Sequence, residues 1–294
     1  MTWNQYRIAF RLLSPLHIGY RKVGNLMQTR DYVPARNLWA ALTARITRDC
    51  GRGCSGQAYY DIGLQVKKYF RFGYLWPAIP RNGKIKVETW DDLETFFSFP
   101  LDKKKCLHEL FPNPYQKNPS LFDYFFLDSH QGMAMNQFNQ AAEDGSLHDI
   151  EFIAPHSRGN GELVYLAGTM WVDDNLPVDL AAWRNSIRQI RIGGEQSYGW
   201  GRVELIFCLP LEKCSIEPDG FFWSGHIPAH LNSLETENNV HGEIEPIVGW
   251  QTQIDGSQKI RDDITIAFVP GSIFKNKNAK FVIGEMGVWK KEIK

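Results

Sequence analysis

From Tyr6 to Leu13 apolar and basic positions alternate, with Ile8, Phe10 and Leu12 on one face and Arg7 and Arg11 on the other. A period of two predicts a strand half buried in a sheet. The next stretch, SPLHIGYRKVGNLMQTRDYVPAR from Ser14 to Arg36, mixes turn formers with basic residues and keeps no period, which predicts an ordered loop at the strand's exit. Pro34 then opens a helix, because proline suits a first helical turn and Leu38, Leu42 and Ile46 recur at helical spacing with Trp39 beside them. Arg36 and Arg48 lie off that apolar face.

Residues 130–148, HQGMAMNQFNQAAEDGSLH, are polar and weakly patterned, and they make the best internal boundary. Two domains are expected, 1–140 and 141–294. After the boundary a strand is predicted from Glu162 to Val172, a helix over Asp179 to Gln189, and a strand from Val203 to Leu209. Leu180, Trp183, Ile187 and Ile190 are spaced three, four and three apart, which places them on one helical stripe. Strand, helix, glycine loop and strand in this order predict an α+β fold of antiparallel strands with helices on one face, which a ferredoxin-like unit fits.

Between that helix and the last strand lies IGGEQSYGWGRVEL, Ile192 to Leu205, with four glycines and an arginine. Glycine lets a backbone approach a ligand at positive φ and turn consecutive N–H groups toward an anion. Gly193, Gly194 and Gly199 are therefore expected to hold phosphates, with Ser197 and Arg202 adding directed hydrogen bonds and Gln196 among the RNA-binding residues of the loop. Tyr198 and Trp200 offer flat surfaces for bases.

The 33 basic and 33 acidic residues cancel, but they are segregated along the chain. Residues 1–86 hold fifteen Lys and Arg against Asp31, Asp49 and Asp61, a net +12, so the remainder carries −12. Such asymmetry suits one surface that meets a polyanion. His17, Arg21, Lys22, Arg30 and Arg36 would form a basic wall opposite the glycine loop, and His156 and Arg158 join them from PHSRGNG. The acidic stretch ETENNVHGEIEP, Glu235 to Pro246, would be a docking face for a basic neighbour.

A hydrophobic content of 43% with 13% aromatics excludes a disordered chain. MTWNQYRIAF has no apolar run of signal-peptide length, so the cytoplasm is the expected location. Five cysteines, an odd number, do not make a secreted disulfide framework. Cys50 and Cys54 flank GRG, and Cys106 and His108 flank Leu107, so a structural zinc site is conceivable. The spacing is looser than a CxxC pair, and thiols without metal are the default expectation. His226 and His230 have helical metal spacing, but Pro228 between them argues against a helix.

SPLHIG at Ser14 to Gly19, DYVPARNLWAAL at Asp31 to Leu42 and GGEQSYGWGRVE at Gly193 to Glu204, in that order, resemble the RAMP superfamily of CRISPR-associated RNA-binding proteins. FRFGYLWPAIPRNGK at Phe70 to Lys84, PHSRGNGELVYLAGTMWV at Pro155 to Val172 and FVPGSIF at Phe268 to Phe274 are similar to the Cas-five-like subunit of type III effector complexes. The resemblance implies two ferredoxin-like, RNA-recognition-motif-like domains. It implies a non-catalytic subunit of an antiviral ribonucleoprotein that holds the 5′ handle of the guide RNA and docks the large polymerase/cyclase-like subunit beside other RAMP subunits. Bulky Trp39 departs from the small or glycine-rich helix start usual in that family. Two alternatives come from the same superfamily. One is a backbone subunit in which Asp31 cleaves target RNA; the other is a guide-processing endoribonuclease with His17 or His156 as general acid or base. Against the first, a lone carboxylate beside Arg30 suits a salt bridge or a cap of the Pro34 helix.

Overall fold

The computed structural model describes residues 2–51, 55–99, 114–115, 121–136, 138, 141–212, 216–233, 239–260, 264–275 and 279–292. The chain is mixed α and β, with mostly antiparallel sheets and few helices. The alternating N-terminal segment forms strand β1, Trp3–Leu12, with Ile8, Phe10 and Leu12 buried and Arg7 and Arg11 only half buried.

The expected loop at its exit instead contains a hairpin, β2 (Gly19–Val23) and β3 (Leu26–Thr29). Gly24, at φ 60, takes the first place of its two-residue turn, the position that the II′ geometry of tight hairpins gives to glycine. Every residue of β2 is exposed, so no alternation marks it in the sequence.

Helix α1 spans Ala35–Asp49 with Pro34 as its N-cap, and Leu38, Leu42 and Ile46 are buried at 0, 0 and 2% exposure. Helix α2, Gly56–Tyr69, starts at Ser55, whose side chain accepts from the N–H of Ala58. Such a cap contributes about 1 kcal/mol. The two helices meet at Gly63, against which Trp39 sets the edge of its indole. Its Nε1–H donates to Gly63 O at 3.1 Å, and a Cβ on Gly63 would come within 3.2 Å of the indole. The small residue that accommodates the bulky Trp39 is therefore on the neighbouring helix.

The chain then forms β4 (Phe70–Phe72), β5 (Trp76–Pro80), β6 (Leu93–Phe96), β7 (Pro114–Tyr115) and helix α3 (Phe122–Phe126). The polar stretch around residues 130–148 lies within or between strands β8 (Leu127–Gly132), β9 (Met135–Asn136), β10 (Ala141–Ala142) and β11 (His148–Ile153). Sheet pairing uses backbone groups, so β8 pairs with β11 while His130, Gln131, Glu143 and Asp144 stay exposed.

Strand β12, Tyr165–Asp173, is buried at every position. The helix expected over Asp179 to Gln189 is shorter than its pattern. It is a 3-10 turn at Val178–Leu180, then helix α4 at Trp183–Ser186, and Gln189–Arg191 is already strand β13. Pairing of β13 with β14, Arg202–Pro210, claims the end of the stripe. Leu180, Trp183, Ile187 and Ile190 are nevertheless all buried.

The main sheet runs β13-β14-β1-β12-β5-β6-β7, with β4 also on β12. It is antiparallel except for β6–β7. Its strands come from both sides of residue 140, so the boundary expected there does not separate two sheets. A second sheet, β2-β3-β11-β8, flanks it. Beyond Pro210 short strands build a six-stranded sheet and two small ones. Among the described residues no helix is long and apolar enough to cross a membrane.

Candidate nucleic-acid interface

A groove of about 1030 Å³ lies between α1, α2, the β13–β14 end of the main sheet, the glycine loop and a hairpin at residues 250–260. Six cations line it: Arg36, Arg45, Arg48, Lys67, Arg191 and Arg202. No carboxylate does so among the described residues. Four rings, Trp39, Tyr59, Tyr60 and Trp250, share the same walls.

The cations come from helix faces turned away from the core and from the edge of the sheet. Arg45 pairs with Asp49 at 3.0 Å, and Lys67 with Glu285 at 2.7 Å. Arg191 Nη1 donates to Gln196 O at 3.3 Å, while neither Arg191 nor Arg202 has an ion pair with a described carboxylate. Asp49 is drawn aside by Ser186, whose hydroxyl donates to it at 2.6 Å. Burial would raise its pKa, but the bonds from Ser186 and Arg45 outweigh burial and hold it below its usual range.

The glycine loop is built more tightly than a phosphate cradle. The N–H of Gly194 donates to His17 O at 2.9 Å, that of Gly199 to Gln196 O at 3.1 Å, and that of Gly201 to Pro15 O at 2.8 Å. The N–H groups of Gly194 and Gly199 are therefore already spent, which corrects the expectation that they hold phosphates. Those of Gly193, Gln196 and Ser197 make no hydrogen bond to described residues. Glu195 adopts the left-handed region at φ 54, and Gly201, at φ 74, has no room for a side chain against Ile192 O. Tyr198 is 79% exposed and free to stack, whereas Trp200 packs edge-on against Phe152, with ring centroids 5.0 Å apart.

Of the residues singled out in the sequence, Arg36, Gly193, Gln196 and Arg202 line the groove. His17 does not stand in a wall. It is buried under Gly193 and Gly194, and its Nδ1–H donates to Glu151 O at 2.7 Å. Arg30 is turned inward to Glu245 at 2.6 Å and to Tyr32. The acidic stretch thus spends Glu245 on the protein's own arginine; residues 235–238 of that stretch lie outside the described residues. Arg21 and Lys22 sit on the exposed hairpin strand β2. His156 is exposed, and Arg158 pairs with Asp128 at 3.2 Å beside Tyr124; neither lines the groove. The sequence reading missed Arg45, Lys67, Arg191, the two tyrosines of α2 and Trp250.

Asp31 neither caps α1 nor pairs with Arg30. Burial pushes its carboxyl up to about 6, with Asp123 and Glu151 adding to the rise and a hydrogen bond from Ser98 opposing it. Of the zinc quartet, Cys54, Cys106 and His108 lie outside the described residues, and the Cys50 thiol donates to Asp179 O at 3.5 Å. His226 is in a short strand and donates to Gly271 O, and His230 is buried among Tyr74 and Glu245.

No family model matches the sequence, and no curated protein does. Among solved structures, a chain of the type III-B Cmr-beta complex bound to cognate target RNA and AMPPnP, state 1, is similar over 97% of this chain and 99% of its own, with 14% identity and a TM-score of 0.52. The chain shares the fold of that Cmr-beta component. A chain of Cmr-beta bound to cognate target RNA is similar over 92% of this chain and 86% of its own, at 15% identity and a TM-score of 0.49. Because the identity is low, the likeness to the first Cmr-beta chain concerns the fold.

Proposed function

We propose that this protein is an RNA-binding structural subunit of a type III CRISPR effector ribonucleoprotein, which holds the 5′ handle of the guide RNA and docks the large polymerase/cyclase-like subunit. The observation that carries this reading is the groove: six cations and four rings without a facing carboxylate among the described residues. Cations neutralise phosphates and rings stack unpaired bases, which is the chemistry of single-stranded RNA binding. The whole-length likeness to a Cmr-beta chain and the resemblance to RAMP proteins support the reading that this RNA is the guide of an effector complex. Two ferredoxin-like units belong to the same proposal. The subunit is read as non-catalytic, since Asp31 lies outside the groove lining, half-buried and hydrogen-bonded by Ser98.

The test is to purify the tagged protein from its host at moderate salt and sequence the small RNA that accompanies it. Repeat-derived guides protected at their 5′ ends are expected. Recovery of no RNA, or of RNA unrelated to a CRISPR repeat, would overturn the reading.

A further inference from the structure

The hairpin of Trp250–Thr252 and Gln258–Ile260 pairs only with itself among the described strands. It is held at two points. At its base Arg36 Nη1 donates to Val248 O, and the guanidinium lies over Gly249, where a side chain would push it aside. At its tip a Cβ on Gly56 would come 2.4 Å from Gly256 N and 2.5 Å from the carbonyl oxygens of Gln253 and Ile254. The hairpin therefore spans from the first turn of α1 to the first residue of α2. Its outer residues Ile254 and Ile260 are 55% and 46% exposed, so these two anchors, and not an apolar core, hold it in this closed position.

Between the anchors Trp250, Gln251, Thr252 and Gln258 line the groove, and the Trp250 side chain remains 67% exposed. Trp39 of α1 and Tyr59 and Tyr60 of α2 form other walls of the same groove. A ring on a hairpin and rings on a rigid helix pair, with cations between them, suit bases presented by their flat faces. Only unpaired nucleotides offer those faces, and every base has one.

We propose that the hairpin is a strap that closes over unpaired RNA in the groove, with Trp250 as its stacking surface and Gly56 as its seat. This rests on the RNA-binding reading above. It adds the ligand's secondary structure, single-stranded and not duplex, and a moving part that sets how long the strand stays bound. The seat is a glycine because backbone from the strap occupies the space of its side chain.

The test uses the full chain with a short labelled oligoribonucleotide, single-stranded or annealed to its complement, and compares wild type with Trp250→Ala and Gly56→Val. Wild type should prefer the single strand. Trp250→Ala should weaken binding about tenfold, the loss of one stacked base. Gly56→Val should speed dissociation several-fold with the salt dependence unchanged, because no cation is removed. Hydrogen exchange should show hairpin amides slowed by RNA in wild type. This readout, together with Trp250→Ala at an exposed site, still tests the strap if Gly56→Val misfolds. Salt-dependent binding by wild type with unchanged release from both variants and no slowing would overturn the strap and leave the RNA reading standing, as would equal affinity for duplex. No salt-dependent binding of either RNA would overturn both.

Discussion

Arg30 and Glu245, 215 positions apart, form an ion pair at 2.6 Å with side chains only 15% and 11% exposed. Glu245 also accepts from His230 Nε2 at 2.5 Å, and His230 Nδ1 accepts from the Tyr74 hydroxyl at 2.5 Å. Burial lowers the His230 pKa and favours the neutral ring, which suits one ring N–H donated and one ring nitrogen accepting. Burial alone would raise Glu245, but the bonds from His230 and Arg30 outweigh it and leave the carboxyl below its ordinary value. The network ties the segment after β3 to the C-terminal sheet.

Glu245→Gln should destabilise the protein by about 3–5 kcal/mol, because Arg30 would keep its buried charge without a counter-charge. A carboxylate with a depressed pKa contributes stability above its ordinary value of 4.5 and loses it as pH falls through its folded value. Neutral His230 adds a loss in the same direction as pH falls below 6.5. Urea titrations should therefore show wild type weakening with acid more steeply than the Gln variant. Equal stability of the two proteins at pH 7 would contradict the assigned pair.

Asp31→Asn should have the opposite effect. The Asp31 carboxyl is pushed from 3.8 up to about 6, so the folded state binds more protons than the unfolded one across that window. Stability then declines as pH rises through it, by about 3 kcal/mol at most. The Asn variant escapes this cost. Its denaturation midpoint should exceed that of wild type at pH 8 and match it near pH 3; a midpoint at or below wild type at pH 8 would sink the argument.

In the glycine loop, Gly201→Ala and Gly199→Ala should separate. Both residues have positive φ, 74 and 86, but a Cβ on Gly201 would lie 2.0 Å from Ile192 O, whereas Gly199 has nothing within 4 Å. Left-handed backbone alone costs about 1–2 kcal/mol, and the clash adds to it. Thermal unfolding should show a clearly larger loss for Gly201→Ala; equal losses would mean that the loop does not approach Ile192 this closely.

Replacing Arg191 and Arg202 together by Gln should weaken RNA binding and flatten the plot of log affinity against log salt by about one unit for each phosphate that is no longer neutralised. Both cations line the groove. Filter binding at several salt concentrations measures the slope, and an unchanged slope would remove these two side chains from the interface.

The elements legible in the sequence were β1, the helix after Pro34 and the stripe from Leu180 to Ile190, which carry a strong period, and β12, a largely apolar run buried at every position. The β2–β3 hairpin escaped because a strand exposed on every residue carries no alternation, and its pairing is a matter of backbone. The groove escaped for another reason. Arg45, Lys67, Arg191 and Trp250 come from four distant stretches, and only the packing of α2 on α1 and the return of the hairpin make them neighbours. His17 misled because an imidazole has the same letter whether it faces a phosphate or a buried carbonyl.

Strand β1 lies between β12 and β14 in the main sheet, and both partners are encoded more than 150 positions after it. On the ribosome, an apolar strand with two open edges must wait until residues 165–210 emerge, a delay on the order of ten seconds at ordinary elongation rates. Through that interval the nascent chain is exposed to edge-to-edge association. Expression yield should therefore depend on holdase chaperones and translation speed more than the stability of the finished fold would suggest.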